Sequence, residues 1–439
     1  MFSLRSSYAL LLAFGLLACG VSVAVYQEIE SKAYRGDFAG AVASLERNRK
    51  EYEGKSEVLY NLESGLLSHY AEDFERSNRH FFQAEKRMEE LYTKSVSTEA
   101  AALLTNDNLL PYEGEDFEKV FVNLFLALNF AEMGNYEAAL VEARKVDVKL
   151  NQYSRAYEGK NAYKEDAFIR YIIGLLYEAE GEINDAFIAY RKAFEAYREY
   201  ERLFKTVAPS FLKNDLLRTA DALRFTDEKE EFERLFGRRF IPLSQKQGSV
   251  VVIIHSGKGP IKEEISLQVS IPDTAGTVHT FKIALPKFKS RERSPRRYVV
   301  QATSTSPVEV PTEVAQDVTR IAEKALDDRL TLLYLKSGGR ALLKFLAAEK
   351  AKEEYKKKQS DKAANLLFSS LVDIAYTASE QADVRTWRTL PDKIQIARVD
   401  LPVGTYRLAV VAEDGRRLAE ESVTIRQNQI LFKVIPDVN

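Results

Sequence analysis

The sequence predicts an α+β multidomain chain: an N-terminal array of helical hairpins, then an antiparallel β-sandwich-like domain with a helical insertion. Three observations carry this. A small-large-turn-small-large pattern recurs through the first half of the chain, as it does where antiparallel helix pairs stack side by side. At Gly248 the helical period gives way to β-branched runs bounded by turn residues. Between two groups of strand-like segments, residues 311–381 return to helical texture. Composition agrees: 439 residues, 45% hydrophobic and 29% charged, exclude a disordered, collagen-like or polytopic membrane protein. With 63 Lys plus Arg against 65 Asp plus Glu, no positive excess exists to neutralise phosphates, so no nucleic acid is expected as a partner.

The first element is a leader. Arg5 is its only charge, an apolar run extends from Tyr8 to Leu17, and Ala18 and Cys19 follow. About ten apolar residues are too few to span a ~30 Å hydrocarbon core, and the order of segments is that of a bacterial export signal. Cys19 is the only cysteine, which excludes an internal disulfide and a thiolate metal cluster. Leu16-Leu17-Ala18-Cys19 resembles the lipobox of bacterial lipoproteins. That resemblance implies a signal peptide over 1–18, a diacylglyceryl group on the Cys19 sulfur, and an acylated new amino terminus. Gly20, where Asp would imply retention, points to the cell outer membrane and a periplasm-facing protein. At ~0.8 kcal/mol per buried methylene, three acyl chains hold such a protein at the membrane. The bland alternative is a plain cleaved signal, or an uncleaved anchor, with an incidental cysteine.

The second element, 19–245, is the helical array. Within 167–194, Gly174, Tyr177, Gly181, Ala186, Tyr190 and Ala193 fall on the packing and turn positions of a tetratricopeptide repeat (TPR), which the segment resembles. Gly174 and Ala186 let two helices close on each other, Tyr177 and Tyr190 fill the grooves beside them, and Gly181 ends the first helix where a left-handed residue is cheap only for Gly. The pattern recurs at 120–153 with Ala127, Phe130, Gly134, Ala139 and Ala143. A looser copy at 58–91 has Glu72 in place of the turn glycine, and another at 22–54 has polar residues at packing positions, as a capping repeat should. Uneven spacing places an insertion at roughly 93–117. Residues 196–240 continue as helices, with Pro209 near a helix start.

The third element, 246–439, is the β-rich domain. Ser249–His255 is a mostly β-branched run closed by Ser256-Gly257-Lys258-Gly259-Pro260, the pattern of a buried strand ending in a turn. Further strands are expected at 264–271, 279–285, 297–304, 401–411, 417–425 and 429–435, with Asp414-Gly415 as a hairpin turn. Residues 311–381, with the charged stretch Lys350–Lys358, read as two or three inserted helices.

Little in the chain points to catalysis. It has no Walker loop, no serine nucleophile elbow and no His-Glu-x-x-His motif. Four histidines, at 69, 80, 255 and 279, sit on separate elements, and Asp327-Asp328 and Glu353-Glu354 read as solvated helix faces. The expectation is no enzyme, no metal and no cofactor. Asp383 to Pro391 differs in texture, since it holds the only tryptophan, Trp387, between Arg385 and Arg388. Such a run either docks an anionic or aromatic partner, or plugs a core while its arginines bind loop carbonyls.

Several stretches resemble a family of uncharacterised proteobacterial TPR lipoproteins. They are Pro111-Tyr112-x-Gly114-x-x-x-Glu118, Ala127–Phe130 followed by Gly134, Ala139–Arg144, Gly248–Pro260 and Asp383–Pro391. The resemblance implies an envelope lipoprotein without assigned catalysis, in some genomes associated with lipoproteins of the kind that regulate peptidoglycan synthases. The resulting expectation is a non-enzymatic adaptor or scaffold for protein partners in the envelope, anchored at Cys19. Tyr112, Asn123, Arg170, Tyr171, Arg385 and Trp387 are the candidate protein-binding residues. Two competing readings are an envelope enzyme acting on cell-wall material and a structural subunit of a surface or secretion assembly.

Overall fold

The computed structural model describes residues 21–97, 108, 110–159, 161–242, 247–272, 278–291, 296–304, 307–358, 361 and 381–438. The lipobox-like stretch ending at Cys19, and residues 362–380 of the expected helical insertion, lie outside them.

Ten helices form five antiparallel pairs among the described residues of the array. They are α1 (Val23–Ala33) with α2 (Phe38–Arg47), α3 (Glu57–Tyr70) with α4 (Phe74–Ser97), and α5 (Asp116–Glu132) with α6 (Tyr136–Ala156). Then come α7 (Ala167–Ala179) with α8 (Ile183–Phe204), and α9 (Ser210–Ala222) with α10 (Thr226–Phe236). The fifth pair turns the expected continuation at 196–240 into the end of α8 plus one more hairpin. Every hairpin turns through one left-handed residue: Gly36, Glu72, Gly134, Gly181 and Arg224, with φ between 59° and 84°. Glu72 and Arg224 adopt a conformation that costs a residue with a Cβ about 1–2 kcal/mol. Within the fourth hairpin, a Cβ on Gly174 would collide with the Tyr190 ring, so only glycine lets α7 and α8 approach this closely.

The two helices of a pair differ in character. In α3 every residue from Val58 to Tyr70 is buried, and α5 is buried from Phe117 to Asn129. The second helices α4, α6 and α8 carry ordinary amphipathic stripes with one wet face. A helix that is apolar all round must be covered on both sides, and here the second cover is the β domain.

That domain holds two four-stranded sheets. One has the order β10-β1-β7-β6 and the other β5-β4-β8-β9. The first contains β1 (Gln247–Ser256), β6 (Glu313–Asp317), β7 (Lys393–Pro402) and β10 (Ile430–Asp437). The second contains β4 (Tyr298–Thr303), β5 (Pro307–Pro311), β8 (Gly404–Ala412) and β9 (Arg417–Ile425). Pairing is antiparallel except between β1 and β10, which run parallel. Val250, Val252 and Ile254 face the second sheet across the sandwich core, while Val251 and Ile253 face the helical array. Both faces of β1 are therefore buried, which explains its unbroken β-branched run.

Several expectations are corrected in detail. The run 401–411 is the end of β7 plus β8, and β5, β6 and most of β7 were not anticipated. A separate hairpin, β2 (Ile261–Pro272) with β3 (Val278–Lys289), forms a two-stranded sheet of its own. Of the insertion, the described residues form the short strand β6 and one helix, α11 (Val318–Lys358), 41 residues long.

The filled groove as the candidate functional site

The first helices α1, α3 and α5 bring Glu30, Glu63 and Glu118 to one site, here called the groove, and a length of the chain's own C-terminal part lies against it. Residues 381–391, here termed the strap, have no helix or strand. A segment without a ladder must satisfy its backbone groups elsewhere, and the strap does so on the array and on the neighbouring loops and hairpin of the β domain. Asn108 Nδ2 donates to the Ala382 carbonyl at 3.0 Å. Arg385 donates to the carbonyls of Lys55 (3.0 Å) and Leu110 (3.1 Å), while its own Asp383 holds the guanidinium from the other side. The Leu390 carbonyl accepts from Gly259 N at 2.7 Å, and the Arg388 carbonyl accepts from Arg291 at 2.5 Å.

Two carboxylates do most of the recognition. Glu118 lies in the first turn of α5, where its Oε2 accepts from the helix-start amide of Glu115 (3.0 Å) and from the Tyr112 hydroxyl (2.6 Å). The helix cap thereby leaves Oε1 pointing into the groove, where it accepts from Trp387 N (2.8 Å) and the Thr386 hydroxyl (3.1 Å). This explains the spacing Tyr112-x-Gly114-x-x-x-Glu118: the tyrosine and the cap orient the carboxylate. One hairpin earlier, Glu63 on α3 accepts from Arg388 N (2.9 Å) and from the Thr389 hydroxyl. Burial pushes the Glu63 carboxyl up to about 7, and burial likewise raises that of Glu118. Arg388 completes the contact by donating to Glu30 at 2.8 Å and lying over the Tyr26 ring.

Between the two carboxylates, Trp387 is fully buried against Phe81 and Phe125, with ring centroids 5.8 and 5.5 Å away. Its Nε1 donates to Thr389 Oγ1 at 3.1 Å. Of the two readings of this run, the arrangement is that of the plug, with Arg385 on loop carbonyls and Arg388 on Glu30.

The other candidates are also placed inside. Tyr112 is buried, with its amide on the Lys55 carbonyl (2.7 Å) and the Arg385 guanidinium over its ring. Asn123 is buried between hairpins and donates to Glu85 (2.9 Å) and Glu142 (2.8 Å). Tyr171 donates to Asp215 at 2.8 Å. Asp215 and Glu178 together hold Arg398 of β7, at 2.9 and 2.8 Å, with Arg218 neutralising the remaining charge. Arg170 is half-buried on α7, paired with Asp147 (3.4 Å) and Glu165 (3.6 Å). In this arrangement Tyr112, Arg385 and Trp387 come together, whereas Asn123, Arg170 and Tyr171 serve separate contacts further along.

Sequence reading named Glu118 only as part of a motif, and missed Glu63, Arg398 and the histidine pair. His69 of α3 and His255 of β1 converge, with ring centroids 5.6 Å apart and Phe125 packed on both. His69 contacts Asn129 Oδ1 at 2.5 Å, and burial lowers its pKa to about 4. Neither nitrogen of the buried His255 has a partner among the described residues. No group of three or more His, Cys, Asp or Glu among the described residues is placed to hold a metal ion. A signal for the groove was present in the sequence: polar residues such as Glu63, His69 and Glu118 interrupt helices that are otherwise apolar all round.

No known family model and no curated protein sequence matches the chain. Among solved structures, the Rap conjugation gene regulator of the plasmid pLS20, in complex with the Phr* peptide, aligns at 13% identity and a TM-score of 0.29. The alignment covers 48% of this chain and 52% of that one, so the chain spans about half the length of the structure it matches.

Proposed function

We propose that the protein is a non-enzymatic adaptor of the bacterial cell envelope, lipid-anchored through Cys19 at the outer membrane and facing the periplasm, whose array engages protein partners. One observation carries the interaction role. The groove holds an extended segment by its backbone: Glu118 and Glu63 take the amides of Trp387 and Arg388. Carboxylates aimed at main-chain N–H groups suit an extended chain of almost any origin, with pockets for chosen side chains adding specificity. The lipobox-like Leu16–Cys19 supports the anchor. No described helix is long and apolar enough to cross a membrane.

Labelled palmitate tests the anchor. The wild-type chain should incorporate label and partition with membranes, and Cys19→Ala should abolish both; unchanged labelling of the variant overturns it. For the adaptor role, a photo-crosslinker at Arg170 should capture a defined envelope protein in living cells. Recovery of no specific product counts against it.

A further inference from the structure

We infer that the groove is a binding site for an extended polypeptide with an arginine-flanked aromatic residue, and that the strap is an intramolecular occupant which a partner segment of the same chemistry displaces. This deepens the adaptor reading and rests on it.

Three independent observations favour an exchangeable occupant over a permanent plug. The first is the mode of contact: the groove reads the strap through amides, carbonyls and small hydroxyls, and none of residues 381–391 belongs to a strand of either sheet. Removing the segment would break no ladder. The second is charge. Glu30, Glu63 and Glu118 face the strap, and Arg388 answers Glu30 from it, while Arg385 lies on the Lys55 and Leu110 carbonyls beside its own Asp383, so the site favours a cationic residue after the aromatic. The third is misfit. Tyr52 Oη and Tyr70 Oη near Glu63, and both nitrogens of His255 against Phe125, are buried, and none has a hydrogen-bond partner among the described residues. Buried polar groups in a settled core are almost all paired. These four atoms belong to side chains near Glu63 or Phe125, the residues that hold the strap, and they indicate a surface with capacity for more contacts than the strap makes.

The ligand follows from the occupant: an extended chain with arginine two residues before the aromatic and one after it, and small hydroxyl residues between and beyond. Phe81 and Phe125 take the aromatic, Glu30 takes the second arginine, and Glu118 and Glu63 take the backbone.

The single tryptophan makes the exchange measurable in the full chain. With 5-fluorotryptophan incorporated, Trp387 gives one ¹⁹F resonance. An unlabelled synthetic peptide of residues 382–391 should deplete that resonance and raise a second at the solvent-exposed position. Because a tethered segment competes at an effective concentration on the order of millimolar, wild type should need peptide in that range. Arg388→Ala, which removes the strap's contact with Glu30 while leaving Trp387 in place, should respond at least tenfold more readily. A peptide with Trp replaced by Ala should not compete in either protein. A single unmoved resonance at millimolar peptide in both proteins overturns displacement, and equal competition by the Ala peptide overturns the aromatic requirement. Failure here with palmitate labelling and the Arg170 crosslink intact would sink the displaceable strap alone and leave the anchored adaptor standing.

Discussion

The strap and the α11 arm are both stretches of the β domain that leave the sandwich, yet they end in opposite environments. The strap enters a groove whose walls are α3 and α5, and Trp387 loses all contact with water. The arm starts similarly, with Val318, Ile321, Ala322 and Leu326 buried, Arg329 paired with Glu115 at 2.7 Å, and Asp328 accepting from Ala162 N at 2.6 Å. Beyond that point it packs on β3, where Ser337 donates to the Ala284 carbonyl at 3.2 Å. Tyr334 and Leu335 there stay 45% and 70% exposed, and Ile265 and Leu267 on β2 stay 39% and 38% exposed. At 1.5 Å per residue the helix is roughly 60 Å long. What the difference teaches is that burial follows the number of neighbouring layers and not the apolarity of the segment.

The largest test of that contrast is truncation. Trp387→Ala should destabilise the protein by about 3–5 kcal/mol in urea denaturation, the range for a large aromatic lost from a packed core. Leu335→Ser on the arm should stay within about 0.5 kcal/mol. Comparable losses at the two sites would erase the distinction.

A second test uses protons, because the groove holds buried groups of both kinds. The Glu63 carboxyl, raised by burial to about 7 from 4.5, binds its proton more tightly in the folded state. Its contribution is fully present below pH 4.5 and is lost as pH rises through 7. His69, lowered by burial from 6.5 to about 4, acts in the opposite direction. Its contribution is fully present above pH 6.5 and is lost as pH falls towards 4. Each amounts to at most about 3 kcal/mol. Thermal melts of Glu63→Gln should therefore lose the alkaline-side decline and those of His69→Gln the acid-side decline, whereas arm substitutions should leave the profile unmoved.

The smallest effect separates the frame from its occupant. Glu72 turns the hairpin that carries Glu63, at φ 60°. Glu72→Gly should stabilise the array by about 1 kcal/mol without altering displacement of the strap. A loss of stability would mean that the Glu72 side chain contributes something its backbone conformation hides.

Much of the fold was legible because its rules are local. The small-large-turn code reports on helices that meet within some twenty residues, so Gly174 could be assigned before its contact with Tyr190 was seen. Turn chemistry placed the β8–β9 hairpin at Asp414-Gly415 in the same way. Strands β5, β6 and the start of β7 were harder, because they are short or mixed in polarity and take their pattern from neighbours on two sides. The candidate site was legible in part. Trp387 and Tyr112 stood out as unusual residues, but nothing in their spacing showed that each meets Glu118.

Sequence alone determined the array, the turn positions, the buried strand β1 and the sandwich, since in each the partners are close along the chain or the hydrophobic period names the covered face. Only the tertiary structure decided what fills the groove. Glu118 and Trp387 are separated by 269 positions, and a carboxylate on an apolar helix looks the same in sequence whether it awaits water, a partner or its own chain. The choice among these depends on which surface can satisfy its lone pairs out of water, and only the folded arrangement supplies that surface.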